Sequence, residues 1–116
     1  MGQLTTHVLD TATGKPAAGV NLRLSRLTEP ARLLVSTRTN ADGRCDTPLL
    51  EGAQLLRGEY ELAFDVADYF RGLGIALPDP PFISTVTLSF GVADPSSHYH
   101  VPLLVSPWSY STYRGS

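Results

Sequence analysis

Hydrophobic and polar positions alternate along much of the chain. In "EYELAFDV", Tyr60, Leu62, Phe64 and Val66 face one way, with Glu59, Glu61, Ala63 and Asp65 opposite. "VNLRLSR" sets Val20, Leu22 and Leu24 against Asn21, Arg23 and Ser25, and "FISTVTLSF" groups Phe82, Val86, Leu88 and Phe90 against Thr85, Thr87 and Ser89. A period of two residues belongs to a strand packed on one face. Strands are predicted near residues 4–10, 19–27, 32–39, 44–48, 58–66, 83–90, 97–105 and 108–114, with "NADG" (40–43) as the turn between two of them. The stretch "ADYFRGLG" breaks the rhythm: Asp68 as a cap, Tyr69 and Phe70 behind it and a closing glycine predict one short helix. Eight strands and a brief helix describe an all-β, eight-stranded antiparallel β-sandwich.

The second faces of the terminal strands are unusual. In "SHYHVPLLVS", Tyr99, Val101, Leu103 and Val105 make a core face, leaving His98, His100, Pro102 and Leu104 on the other. "LTTHVLD" sets Thr5, His7 and Leu9 against Leu4, Thr6 and Val8. In "WSYSTYRG", Trp108, Tyr110 and Thr112 oppose Ser109, Ser111 and Tyr113. These outward faces hold histidine, serine, tyrosine and leucine with almost no lysine or glutamate. A solvated strand face carries charge, so its depletion implies burial against another subunit or around a ligand.

Bulk properties narrow the field. The 116 residues, 42% of them hydrophobic, are enough for one domain, residues 1–116, with a real core. A net charge of -2 argues against nucleic-acid or anionic-lipid partners. No apolar run approaches the roughly 18 residues of a membrane span, and no basic-then-apolar leader opens the chain. The single cysteine, Cys45, cannot form an internal bridge. Those features together predict a cytoplasmic protein. Arg44 beside Cys45 is a charge that would favour the thiolate.

Candidate chemistry is sparse. Phosphate-loop, G-x-S-x-G and C-x-x-C signatures are absent. His98 and His100 form a His-x-His pair that is able to ligate a metal, but no Cys or acidic residue stands at a spacing that completes the site, so metal is not expected. Each histidine taken singly is more often structural than catalytic. Arg44 just past a turn has a bland reading as an exposed cation, and Tyr113 as a strand end.

Three stretches carry more information: "LTTHVLDTATGKPAAGV" near the start, "TNADGRC" in the middle and "HYHVPLLVSPWSYSTYRGS" at the end. Together they resemble the 5-hydroxyisourate hydrolases, the transthyretin-related proteins of urate breakdown, over nearly the whole chain. The final Tyr-Arg-Gly-Ser is the most specific part.

The resemblance implies a transthyretin-like (prealbumin-like) sandwich, assembled as a homotetramer with a central channel between dimers. It also implies hydrolysis of 5-hydroxyisourate to 2-oxo-4-hydroxy-4-carboxy-5-ureidoimidazoline without metal or organic cofactor. Carried over by position, His7, Arg44 and His100 match the family's catalytic and substrate-binding residues, Tyr113 a substrate-binding one, and Ser116 a catalytic one. His98, adjacent to His100 on the same face, and Arg114 are placed nearby with a lesser claim.

On that reading His7 or His100 takes a proton from water and the other orients water or returns the proton to nitrogen. Arg44 holds the developing oxyanion and keeps a histidine neutral. Two rivals stand beside this reading. A non-catalytic transthyretin-type carrier of a small ligand would want more apolar walls. A plain structural sandwich would leave the terminal motif without a purpose.

Overall fold

The computed structural model describes residues 1–115, and the alternation seen in the sequence is the burial pattern of its strands. In β1 (Gln3–Asp10) every second residue is buried, and β6 (Gly58–Asp65) does the same with Tyr60, Leu62 and Phe64. The other strands are β2 (Lys15–Pro16), β3 (Asn21–Arg26), β4 (Arg32–Arg38), β5 (Leu50–Glu51), β7 (Thr85–Val92), β8 (His98–Val105) and β9 (Tyr110–Thr112). One sheet runs β4-β3-β6-β7, and the other β2-β1-β8-β9 with β5 also pairing to β1. The pairs are antiparallel except β1 and β8, which run parallel with Leu4 beside Tyr99 and Val8 beside Leu103.

The core lies between the sheets. Leu4, Val8, Leu103 and Val105 from one sheet meet Leu22, Leu24, Leu62, Phe64 and Val86 from the other, all buried. Fully burying side chains of this kind contributes about 1.5–3 kcal/mol each. The predicted helix is α1 (Val66–Gly72), whose Val66, Ala67 and Phe70 are buried. Its N-cap is Asp65 rather than Asp68, which instead sits in the first turn, where a negative charge suits the helix dipole. Among the described residues no helix is long and apolar enough to cross a membrane.

Two further expectations fail locally. Residues 44–48 form no strand; only Arg44 makes a single antiparallel bridge, to His7. Phe82 does not join the core with Val86 and Leu88. It lies before β7, 72% exposed, with its ring 6.1 Å from that of Trp108.

A buried carboxylate fixes the far end of β1. Asp10 is inaccessible to solvent, yet its Oδ1 accepts from the Ala12 and Thr13 amides at 2.9 and 3.1 Å. Its Oδ2 accepts from the Tyr69 hydroxyl on α1 at 2.9 Å. The "LDTATG" turn and the helix are thereby tied to the strand that carries His7. Burial and this carboxylate push the Tyr69 hydroxyl up to about 12.

Candidate active site

The outer edges of β1 and β8 are each covered in pieces. Along β1, β5 pairs at Gln3 and Leu4 and β2 at Leu9 and Asp10; between them Arg44 stands opposite His7. Along β8, β9 pairs from Leu103 to Val105, and Gly115 then bridges to His100. His7 and His100 therefore each face a residue brought in by a single bridge. Directly opposed residues share a sheet face, so Arg44 joins His7 on the outward side.

The "NADG" turn delivers Arg44. Asn40 accepts through Oδ1 from the Asp42 and Arg44 amides, and its own amide N–H donates to the Arg44 carbonyl at 2.7 Å. Gly43 has φ +74°, and its carbonyl accepts from the Val8 amide at 2.8 Å. A Cβ on Gly43 would lie 2.5 Å from the Val8 carbonyl oxygen, so only glycine lets this loop reach β1.

Register sets the rest. Gln3 lies beside His98, Thr5 beside His100 and His7 beside Pro102, all on the outward face. Arg44, His98, His100, Thr5 and Asp46 line one concavity of about 500 Å³. His7 is a diagonal neighbour of His100, close enough for its charge to act on it. Burial first, and then the charges of Arg44, His7 and His98, hold the His100 imidazolium below the ordinary histidine range. A half-buried imidazole kept neutral is a proton acceptor.

The tail closes on the same ring. The His100 amide donates to the Gly115 carbonyl at 3.3 Å, and the Gly115 amide to the His100 carbonyl at 2.7 Å. Within one chain the two preceding side chains lie elsewhere. Tyr113 and Arg114 line a second concavity of about 330 Å³, with Phe90 and Tyr99, between β7 and the tail. The Arg114 guanidinium stacks 4.2 Å over the Tyr99 ring and donates to the His98 carbonyl at 3.2 Å. Ser116 lies outside the described residues.

Thr5 joins the site although it is not among the candidates the sequence offers; the alternation places it on the face of His7. Cys45 is no activated thiolate: burial and the neighbouring Asp46 push its thiol up, outweighing adjacency to Arg44.

A profile described as the HIUase/Transthyretin family matches residues 4–115. The chain belongs to that family. It is 61% identical over 117 aligned positions to a 5-hydroxyisourate hydrolase of Ralstonia nicotianae, covering 100% of both chains. Among solved structures it resembles the 5-hydroxyisourate hydrolase of Klebsiella pneumoniae, with 34% identity, a TM-score of 0.83 and 100% of each chain covered. It also resembles sea bream transthyretin in complex with thyroxine, with 28% identity, a TM-score of 0.87 and 97% and 94% of the two chains covered. Within this family the sandwich serves both named kinds of protein, so the outward face must distinguish them.

Proposed function

We propose that residues 1–116 act as one hydrolase domain that opens 5-hydroxyisourate to the ureidoimidazoline, with His7, Arg44, His100 and Ser116 as its catalytic groups. The observation that carries this reading is the gathering of Arg44, His98 and His100 in one polar concavity, with His7 opposite Arg44 on the adjoining edge. The high identity to a named 5-hydroxyisourate hydrolase over the full chain supports the substrate.

The reaction adds water to an acyl carbon and expels a ring nitrogen. Neutral His100 takes the water proton as oxygen bonds to carbon, and the carbonyl π electrons move to oxygen. Arg44 donates two N–H groups to that oxyanion. The oxyanion then collapses, the C–N bond breaks, and nitrogen receives the proton. His7, beside Arg44, orients the water or the departing nitrogen. The chemistry calls for no metal or organic cofactor.

A homotetramer in the cytoplasm is part of the same proposal. The uncharged outward faces of β1 and β8 support it, since a second copy would complete the open side of the concavity. Tyr113, at the free edge, is assigned to substrate binding across that assembly.

A carrier of the transthyretin type is less well supported: an arginine and two histidines around one concavity suit hydrolysis better than the holding of an apolar ligand. The decisive experiment generates 5-hydroxyisourate with urate oxidase and follows its ultraviolet decay with and without the protein. A rate above the spontaneous one, rising with protein concentration, is the expected result. A rate equal to the spontaneous one overturns the reading.

A further inference from the structure

Between His98 and His100 stands a hydroxyl with no part in the reaction as described so far. Thr5 Oγ1 lies 2.8 Å from His100 Nδ1 and 3.2 Å from His98 Nε2. A hydroxyl has one proton, so it donates to one ring and accepts from the other. The two imidazoles are therefore coupled: the tautomer of one dictates that of its partner. Gln3 breaks the tie. Its amide nitrogen, which only donates, lies 3.4 Å from the same His98 Nε2. With His98 Nε2 as acceptor, Thr5 donates to His98 and accepts from His100 Nδ1–H. That leaves the free lone pair of His100 at Nε2, where a base needs it.

We propose that Thr5 and His98 form a proton relay behind His100, setting its tautomer and holding its proton while the tetrahedral intermediate exists. This rests on the reading of His100 as the group that takes the water proton.

The steps balance. His100 Nε2 gains the water proton as the C–O bond forms. Its Nδ1 proton passes to Thr5 Oγ1 as the Thr5 hydroxyl proton passes to His98 Nε2. The positive charge then sits on His98, exposed to solvent, rather than on half-buried His100 beside Arg44 and His7. When the C–N bond breaks, His100 Nε2–H protonates the departing nitrogen while His98 and Thr5 return a proton to Nδ1. No proton is gained or lost over the cycle. Thr5 is thus a positioning residue, acting through His100.

The ring is also gripped from its other edge. A Cβ on Gly115 would meet His100 Cδ2 at 3.0 Å. With Thr5 at Nδ1 and the Gly115 backbone close to the Cδ2 edge, the imidazole is held in one orientation.

The test uses Thr5→Val, Thr5→Ser and His98→Asn in the full chain. Valine keeps the branched shape that a strand favours and removes only the hydroxyl. Thr5→Val is expected to lower kcat about tenfold to a hundredfold, less than loss of a positioned acid–base group itself because Thr5 acts through His100, with KM within about twofold. Thr5→Ser is expected to restore kcat, and His98→Asn to mimic the valine variant. The solvent deuterium isotope effect on kcat is expected to shrink in both deficient variants, because fewer protons move together.

The acid limb of the rate profile, governed by His100 under the charges of Arg44, His7 and His98, should shift in Thr5→Val and return in Thr5→Ser. A folded Thr5→Val or His98→Asn with the parent kcat and pH profile overturns the relay. His100→Asn serves as the reference: full activity there defeats the site reading itself, whereas an inactive His100→Asn beside a normal Thr5→Val defeats only the relay.

Discussion

Gly115 packs its backbone on the imidazole of His100, so that a methyl group added to it would stand 3.0 Å from Cδ2 and 3.1 Å from Cβ of that histidine. The antiparallel bridge between the same two residues fixes the approach. A glycine one residue from the end of a chain is ordinarily replaceable. Here it sets how close the tail comes to the proposed base.

Gly115→Ala is accordingly expected to lower kcat roughly tenfold, since misplacement of a reacting group by about 1 Å can cost a hundredfold and the shift here is a fraction of that. The melting temperature should stay within a degree or two, because little core is touched. Stopped-flow decay of 5-hydroxyisourate and a thermal melt on the same samples separate the two effects. Deleting residues 113–116 should show the same split, with a larger loss of rate. An alanine variant with the parent rate would mean that the contact has no catalytic consequence.

His7→Asn and His100→Asn keep much of each side chain's shape and polarity and remove proton transfer near neutral pH. Both should reduce turnover by at least about a hundredfold, the lower bound for a positioned general acid or base. Circular dichroism and sedimentation should match the parent protein. Near-normal turnover in either variant removes that histidine from the mechanism.

Arg44 affects both rate and pH dependence. Replacement by Gln removes the bidentate donor and should raise the barrier by about 2.7–4 kcal/mol, as for other oxyanion donors. It also removes a charge that disfavours the His100 imidazolium. The His100 pKa, depressed in the parent, should move up toward the ordinary value, so the acid limb of kcat/KM should lie at higher pH in the variant. The sign extends to stability. With its folded pKa below the unfolded one, His100 contributes stability above the unfolded value that is lost as pH falls through the folded one. An acid limb unmoved by Arg44→Gln would show that Arg44 has no part in setting the titration.

How much of this was legible in the sequence depended on segment length. Period-two alternation assigned Thr5, His7, His98 and His100 to outward faces, and register confirms those faces. Alternation needs several residues to be read, so β2 and β5, two residues each, left no mark. For the same reason the single bridge at Arg44 was mistaken for a strand. Pairing is likewise invisible in a lone strand: nothing in "THVLD" or "HVPLL" announces that β1 and β8 run parallel. Phe82 misled because its spacing suits a core position, while the turn chemistry of "PDPP" just before it keeps the chain out of the sheet. The Thr5 contacts depend on the side-by-side placement of two strands 95 residues apart in sequence, so only the fold could supply them.

The pairing of Tyr69 with Asp10 predicts a stability effect remote from chemistry. Tyr69→Phe deletes a 2.9 Å hydrogen bond to a buried carboxylate, leaving Asp10 with its two amide donors. The expected cost is about 1.5–3 kcal/mol at neutral pH, with kcat unchanged. The Tyr69 pKa is raised to about 12, so its stabilising contribution is complete below the unfolded value. It is lost as pH climbs through the folded one. Urea melts of the two proteins should therefore converge between about pH 10 and pH 12. A gap that stays constant through that range would mean that the hydroxyl and Asp10 are not coupled.

The last prediction concerns assembly. The concavity holding Arg44 and His100 is open on its outward side, and Leu104, on the same outward face of β8, is only partly buried. If a second copy closes that side, separated chains should hold the same groups yet turn over poorly, since water would screen Arg44 and the bound substrate would lack a wall. Ser111→Glu tests this. Ser111 stands opposite Leu104 on the outward side of β9, one strand farther from β1 and His7, so a charge there burdens an interface away from the histidines. Sedimentation velocity should show smaller species, and specific activity should fall at least about tenfold with the fold intact by circular dichroism. Diluting the parent protein should give the same relation, with specific activity tracking the fraction assembled. Dissociated chains that retain the full specific activity would show that one copy is sufficient, and the shared-channel arrangement would have to be abandoned.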